Sequence, residues 1–124
     1  MDKQIMIVDD DPSIRATAEI VLNTKGYSIC VVESGKRCLD KLREGFSGLI
    51  LMDVMMPEMN GWDTIESIED EGLHGGNVIC MLTAVHDPGP ELERLTESVM
   101  DYVRKPFTSE ELLGTVAEYI AYVQ

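Results

Sequence analysis

The sequence predicts an α/β domain, with five parallel strands in one doubly wound sheet and helices on both faces. Three observations carry that prediction. Continuous apolar runs recur at residues 5–8, 49–52 and 78–82, the signature of strands buried on both faces. Stretches of helical period separate them. Glycine, proline and helix-capping residues fall where one pattern gives way to the other.

The elements follow in order. Ile5-Met6-Ile7-Val8 is the first strand and stops at Asp9-Asp10-Asp11. Asp11 suits the cap of a helix whose first position is Pro12, where a missing N–H costs nothing. Ile14, Ala18, Val21, Leu22 and Lys25 mark one face of that helix, and Gly26 ends it. Residues 27–32 read as a second strand rich in β-branched side chains. Residues 34–44 read as a helix carrying Cys38, Leu39 and Leu42, closed by Gly45. Leu49-Ile50-Leu51-Met52 is the third strand and ends at Asp53. Pro57 and Gly61 punctuate a loop, residues 62–71 form a helix with Ile65 and Ile68 on one side, and residues 72–77 turn. Residues 78–82 are the fourth strand, ending at Thr83. Pro88-Gly89-Pro90 delay the next helix to about residues 90–97. Residues 101–104 are a short fifth strand before Lys105-Pro106. The last helix opens with a capping box, Thr108 and Glu111, and presents Leu112, Val116, Tyr119, Ile120 and Val123 to the core.

A chain of 124 residues suits one domain over residues 1–124, and no second, output domain is read in it. The net charge of -13 repels phosphate backbones, which argues against direct nucleic-acid contact and for cations and basic protein surfaces. The three cysteines, Cys30, Cys38 and Cys80, have no CxxC spacing, so neither a disulfide framework nor a zinc site is expected. No apolar run approaches the roughly 20 residues of a bilayer span, and the N-terminus lacks a signal-peptide layout. The expected location is the cytoplasm, with no membrane insertion.

In parallel α/β sheets ligands bind beyond the carboxyl ends of the strands, where the strand order reverses. The residues at those ends are Asp9 and Asp10, Asp53, Thr83 and Lys105. Three carboxylates gathered at one edge repel one another, and a hard divalent cation relieves the repulsion. An ionised Asp beside such a cation can attack a phosphoryl group, with an ammonium and a hydroxyl to steady the charge on its oxygens.

The chain resembles the response-regulator receiver domains of two-component systems over nearly all its length. The segments that carry the resemblance are residues 7–12 (Asp9-Asp10-Asp11-Pro12 at their end), 51–61 (Asp53 through Pro57 to Gly61), 82–84 (Leu82-Thr83-Ala84) and 101–107 (Asp101 to Lys105-Pro106-Phe107). The resemblance implies a flavodoxin-like fold of strand order 2-1-3-4-5. It implies that Asp53 accepts a phosphoryl group from a sensor histidine kinase or a histidine phosphotransfer protein, without turning over a substrate as an enzyme does. By the same similarity Asp10, Asp53 and the Met55 backbone carbonyl would hold Mg²⁺ (Mn²⁺ as a substitute), with Asp9 acting through a bound water. Thr83 and Lys105 would contact the phosphoryl group, the Lys105–Pro106 bond would be cis, and Thr83 with Tyr102 would form the switch. The readout would be the face of the fourth helix, fifth strand and fifth helix. It would dock a downstream protein, the domain being a monomer or a phosphorylation-dependent homodimer.

The sequence departs from the family pattern in three places. Val99-Met100 stand where Gly-Ala is common, Pro88-Gly89-Pro90 precede the fourth helix, and Met55 and Val85 are apolar. The last two positions flank the path of the hydrolytic water in the family, so a long-lived phosphoryl group is expected. Two rival readings remain on the residues alone. One is a haloacid-dehalogenase-type phosphohydrolase with Asp9 as nucleophile and Asp11 as acid/base. The other is a receiver-like interaction module that is not phosphorylated. The methionines at 52, 55, 56 and 59 read as core and loop filling, Trp62 as packing, and His74 and His86 carry no assigned role.

Overall fold

The computed structural model describes residues 4–84 and 97–124. Its five strands are β1 (Gln4–Val8), β2 (Ser28–Val32), β3 (Leu49–Asp53), β4 (Val78–Thr83) and β5 (Asp101–Arg104). They form one sheet of order β2-β1-β3-β4-β5, and every pairing is parallel. The helices are α1 (Pro12–Asn23), α2 (Gly35–Arg43), α3 (Gly61–Asp70) and the C-terminal helix (Ser109–Tyr119).

Within the apolar runs, alternate side chains serve opposite cores. Met6, Val8, Ile50, Met52, Ile79 and Met81 pack with Leu39, Leu42, Trp62, Ile65 and Ile68 of α2 and α3. Ile5, Ile7, Leu49, Leu51, Cys80 and Leu82 pack with Ala18 and Leu22 of α1 and with Leu112, Val116 and Ile120 at the C-terminal end. Each buried Leu or Ile contributes roughly 1.5–3 kcal/mol, so both layers are substantial. The chain passes from β1 through α1 to β2 at one edge, then through α2 back across to β3, so strand order reverses between β1 and β3.

Local chemistry sets the helix starts. The Asp11 carboxylate caps α1 by accepting from Ser13 N at 2.8 Å, and the Ser34 hydroxyl caps α2 by accepting from Arg37 N at 3.1 Å. Thr108 and Glu111 form the expected capping box of the C-terminal helix. Residue bounds shift slightly from expectation. Ser34 and Glu44 lie outside α2 as its caps, and β2 starts at Ser28 rather than Tyr27. α3 begins at Gly61, because Asn60 and Asp63 make a second capping box one residue earlier than anticipated. The last helix tightens to a 3-10 turn over Ile120–Tyr122, short of Val123. The helix expected at 90–97 lies outside the described residues, except that Glu97 is in a turn.

Cys38 and Cys80 are buried and Cys30 half-buried, all as free thiols. Burial pushes the Cys38 and Cys80 thiols up to about 12, so they serve as small core hydrophobes. Met52 and Met56 are buried, Met59 is half-buried, and Met55 is 71% exposed.

Candidate functional site: a carboxylate cluster at the strand ends

Asp9, Asp10 and Asp53 meet where the strand order reverses. One carboxylate oxygen from each lies within 4.8 Å of the others. Among the described residues no other trio of His, Cys, Asp or Glu gathers in this way.

Their environments differ. Asp9 has no exposed surface; its Oδ1 accepts from Asp11 N at 2.9 Å and its Oδ2 from Lys105 Nζ at 2.8 Å. Asp53 is buried at the end of β3, and its Oδ1 lies 3.1 Å from Lys105 Nζ and accepts from Met55 N at 3.3 Å. Asp10 is exposed and faces water. Lys105 therefore neutralises one of three carboxylates and leaves two formal negative charges in the cluster.

Desolvation by burial pushes Asp53 up to about 6, with the Asp9 charge as the second cause; Lys105 and the Met55 amide act in the opposite direction. Burial would pull the Lys105 ammonium down, but its hydrogen bonds and ion pairs with Asp9 and Asp53 outweigh that and hold it above its ordinary value. The site thus carries an unrelieved excess of negative charge around a carboxylate that is costly to ionise. An all-oxygen donor set with one solvent-facing member fits a hard divalent cation such as Mg²⁺.

Backbone geometry brings the remaining groups to the same edge. Thr83 is buried at the end of β4, where its carbonyl accepts from Lys105 N at 2.8 Å. The Lys105–Pro106 peptide is cis. Gly61 lies directly behind Asp53: a Cβ there would sit 2.6 Å from the Asp53 carbonyl oxygen. The Gly61 amide donates to Val54 O at 2.9 Å, which ties the start of α3 to the end of β3. Tyr102 on β5 packs against the α2/α3 core, with its ring centroid 6.4 Å from that of Trp62. Its hydroxyl is buried and has no hydrogen-bond partner among the described residues.

The model of the response regulator receiver domain matches residues 5–117. The chain belongs to that family. The receiver domain is 42% identical to a CheY-like receiver domain protein from Methanospirillum hungatei JF-1, whose solved structure superimposes with a TM-score of 0.93 over 98% of this chain and 96% of that one. It is 29% identical to the response regulator TrrA of Thermotoga maritima, solved in complex with Mg²⁺-BeF, with a TM-score of 0.78 over 94% of this chain and 97% of that one. Among curated proteins it is 37% identical over 116 residues to the DNA-binding response regulator MtrA of Mycolicibacterium smegmatis, covering 94% of this chain and 50% of that protein. The receiver domain spans about half the length of the curated relatives it matches. It is therefore a module of two-component signalling with the flavodoxin-like strand order.

Of the residues singled out in the sequence, Asp9, Asp10, Asp53, Thr83 and Lys105 lie together at one edge, and Met55 stands beside Asp53. Tyr102 sits one strand over, against Trp62. Val85, His86 and Pro88-Gly89-Pro90 lie outside the described residues. Among the described residues the His74 ring makes a 3.4 Å approach to the Gly75 carbonyl and belongs to no metal-ligating cluster. Sequence reasoning missed Arg15, whose Nη1 donates to the Asp9 carbonyl at 2.7 Å. A side chain bound to a backbone oxygen leaves no motif to read.

Proposed function

We propose that this receiver domain takes a phosphoryl group on Asp53 in an Mg²⁺-dependent reaction and passes the change to a protein partner. The observation that carries the reading is the paired contact of Lys105 with Asp9 and Asp53 inside a cluster of three carboxylates. Asp53 is the nucleophile rather than Asp9, because both Asp9 carboxylate oxygens are held by hydrogen bonds and the residue is wholly buried. Both described contacts of the Asp53 carboxylate fall on Oδ1, and Oδ2 is the oxygen assigned to attack. An O–P bond forms at Asp53, the P–N bond to the donor's phosphohistidine breaks, and the imidazole nitrogen keeps the electron pair and takes up a proton.

Asp10 and Asp53 would hold Mg²⁺, with the Met55 carbonyl, while Asp9 acts through a bound water. When bound, the ion would supply positive charge against the phosphoryl oxygens. Lys105 would exchange its contact with Asp53 Oδ1 for a phosphoryl oxygen, and the Thr83 hydroxyl would donate to another. Thr83 and Tyr102 would then report the new charge, a two-state equilibrium tilted from one end. The donor would be a sensor histidine kinase or a histidine phosphotransfer protein, and the product an acyl phosphate rather than a released metabolite. Among the described residues no helix is long and apolar enough to cross a membrane.

The test is incubation with acetyl phosphate and Mg²⁺, followed by mapping of the adduct. The label belongs on Asp53. A label on Asp9 would support a phosphohydrolase instead, and no label would leave an interaction module.

A further inference from the structure

We infer that Arg15 is a positioning residue for the cation-binding carboxylates, acting through the peptide between Asp9 and Asp10. The inference rests on the Mg²⁺-dependent reading above.

Asp9 is fastened at every polar atom it has. Its amide donates to Val32 O at 3.2 Å, its carbonyl accepts from Arg15 Nη1 at 2.7 Å, and its two carboxylate oxygens accept from Asp11 N at 2.9 Å and Lys105 Nζ at 2.8 Å. Asp10 has the opposite character. It is exposed, and among the described residues no hydrogen bond reaches its carboxylate. Its position is inherited from the peptide before it, whose carbonyl Arg15 holds. Turning that peptide about its two Cα atoms would require Arg15 to let go.

Arg15 has a firm base for this clamp. It lies on the first turn of α1, where its own amide donates to Asp11 O at 3.1 Å and Ser13 N caps onto the Asp11 carboxylate. The guanidinium therefore links the helix start to the end of β1 across the segment that carries Asp10. A charged donor on a neutral carbonyl gives a strong, directional bond. Its role resembles that of the outer partners that orient metal ligands without touching the metal.

The sign of the effect separates positioning from simple charge. A positive guanidinium near the cluster opposes binding of a second cation, so removal of a residue acting only as charge would tighten Mg²⁺ binding. Removal of a positioning residue would loosen it. The experiment titrates the full chain with MgCl₂ by calorimetry, comparing wild type, Arg15→Ala and Arg15→Lys, each checked for native circular dichroism. Arg15→Ala is expected to bind Mg²⁺ about tenfold more weakly, the low end for loss of an outer partner, with Arg15→Lys restoring most of it. Acetyl phosphate labelling supplies a second readout: the half-saturating Mg²⁺ concentration rises in Arg15→Ala, while the rate at saturating Mg²⁺ stays near wild type. Arg15→Met keeps the aliphatic stem and is expected to lose Mg²⁺ affinity to the same degree, which covers the case of an Ala variant that fails to fold. Binding by Arg15→Ala or Arg15→Met as tight as wild type, or tighter, overturns the inference and leaves the proposed function standing. A wild-type protein that binds no Mg²⁺ removes both.

Discussion

Replacing Asp53 with Asn should stabilise the metal-free domain at neutral pH and leave it no more stable in acid. The wild-type carboxyl is pushed from 3.8 to about 6, by burial first and by Asp9 second. In the unfolded chain it ionises at its ordinary value. The folded state thus binds this proton more tightly. The contribution of Asp53 to stability is fully present below about pH 4 and is lost as pH rises through about 6. At about 1.4 kcal/mol per pH unit, the ionised side chain costs the fold at most about 3 kcal/mol at pH 7. That figure already contains the 3.1 Å contact with Lys105, which lowers the carboxyl, and solvent at the sheet edge screens these charges and reduces it further. A net gain of about 1–2 kcal/mol follows, or roughly 4–8 °C in Tm for a domain of this size. Thermal unfolding in EDTA at pH 7 and pH 4 measures it for both proteins. Equal Tm values at pH 7, or an undiminished gain at pH 4, would refute the reasoning. Adding Mg²⁺ at pH 7 should narrow the gap, because the ion stabilises the wild type preferentially by binding its folded state.

Three further outcomes are expected. Tyr102→Phe removes a buried hydroxyl that has no described partner and should stabilise the domain by about 1 kcal/mol, read from urea unfolding; a loss of similar size would show that the hydroxyl is satisfied. Gly61→Ala places a Cβ 2.6 Å from the Asp53 carbonyl oxygen and should cost about 1–3 kcal/mol as β3 or α3 shifts, while slowing labelling of Asp53. Met55 is 71% exposed beside Asp53, so Met55→Asn should shorten the life of the phosphoryl group by offering water a polar partner. The decay of phosphorylated protein in Mg²⁺ measures this, and an unchanged lifetime would remove the role given to Met55.

The strands were legible because they are buried on both faces, which forces continuous apolar runs such as Ile5 to Val8. The same continuity hid which side chain serves which core, since Met6 and Ile7 look alike in sequence yet point to opposite layers. The acidic edge was legible because strand ends are easy to place and Asp9, Asp10, Asp53, Thr83 and Lys105 each stand at one. Its internal wiring was not. That Lys105 bridges Asp9 and Asp53, and that Arg15 grips a carbonyl, follows from three-dimensional proximity across as many as 96 positions. The start of α3 was misplaced by one residue because Asn60 and Asp63 make a capping box without the usual Ser or Thr and Glu.

The packing of Trp62 gives the domain an optical property of its own. It is the single tryptophan of the chain. It is buried, it follows the Gly61 that braces Asp53, and it lies against the Tyr102 ring. One chromophore therefore adjoins both the braced loop and the aromatic of the fifth strand. Its emission should respond when either moves, so binding at the acidic edge and rearrangement at Tyr102 can be followed in unlabelled protein, in real time, by intrinsic fluorescence.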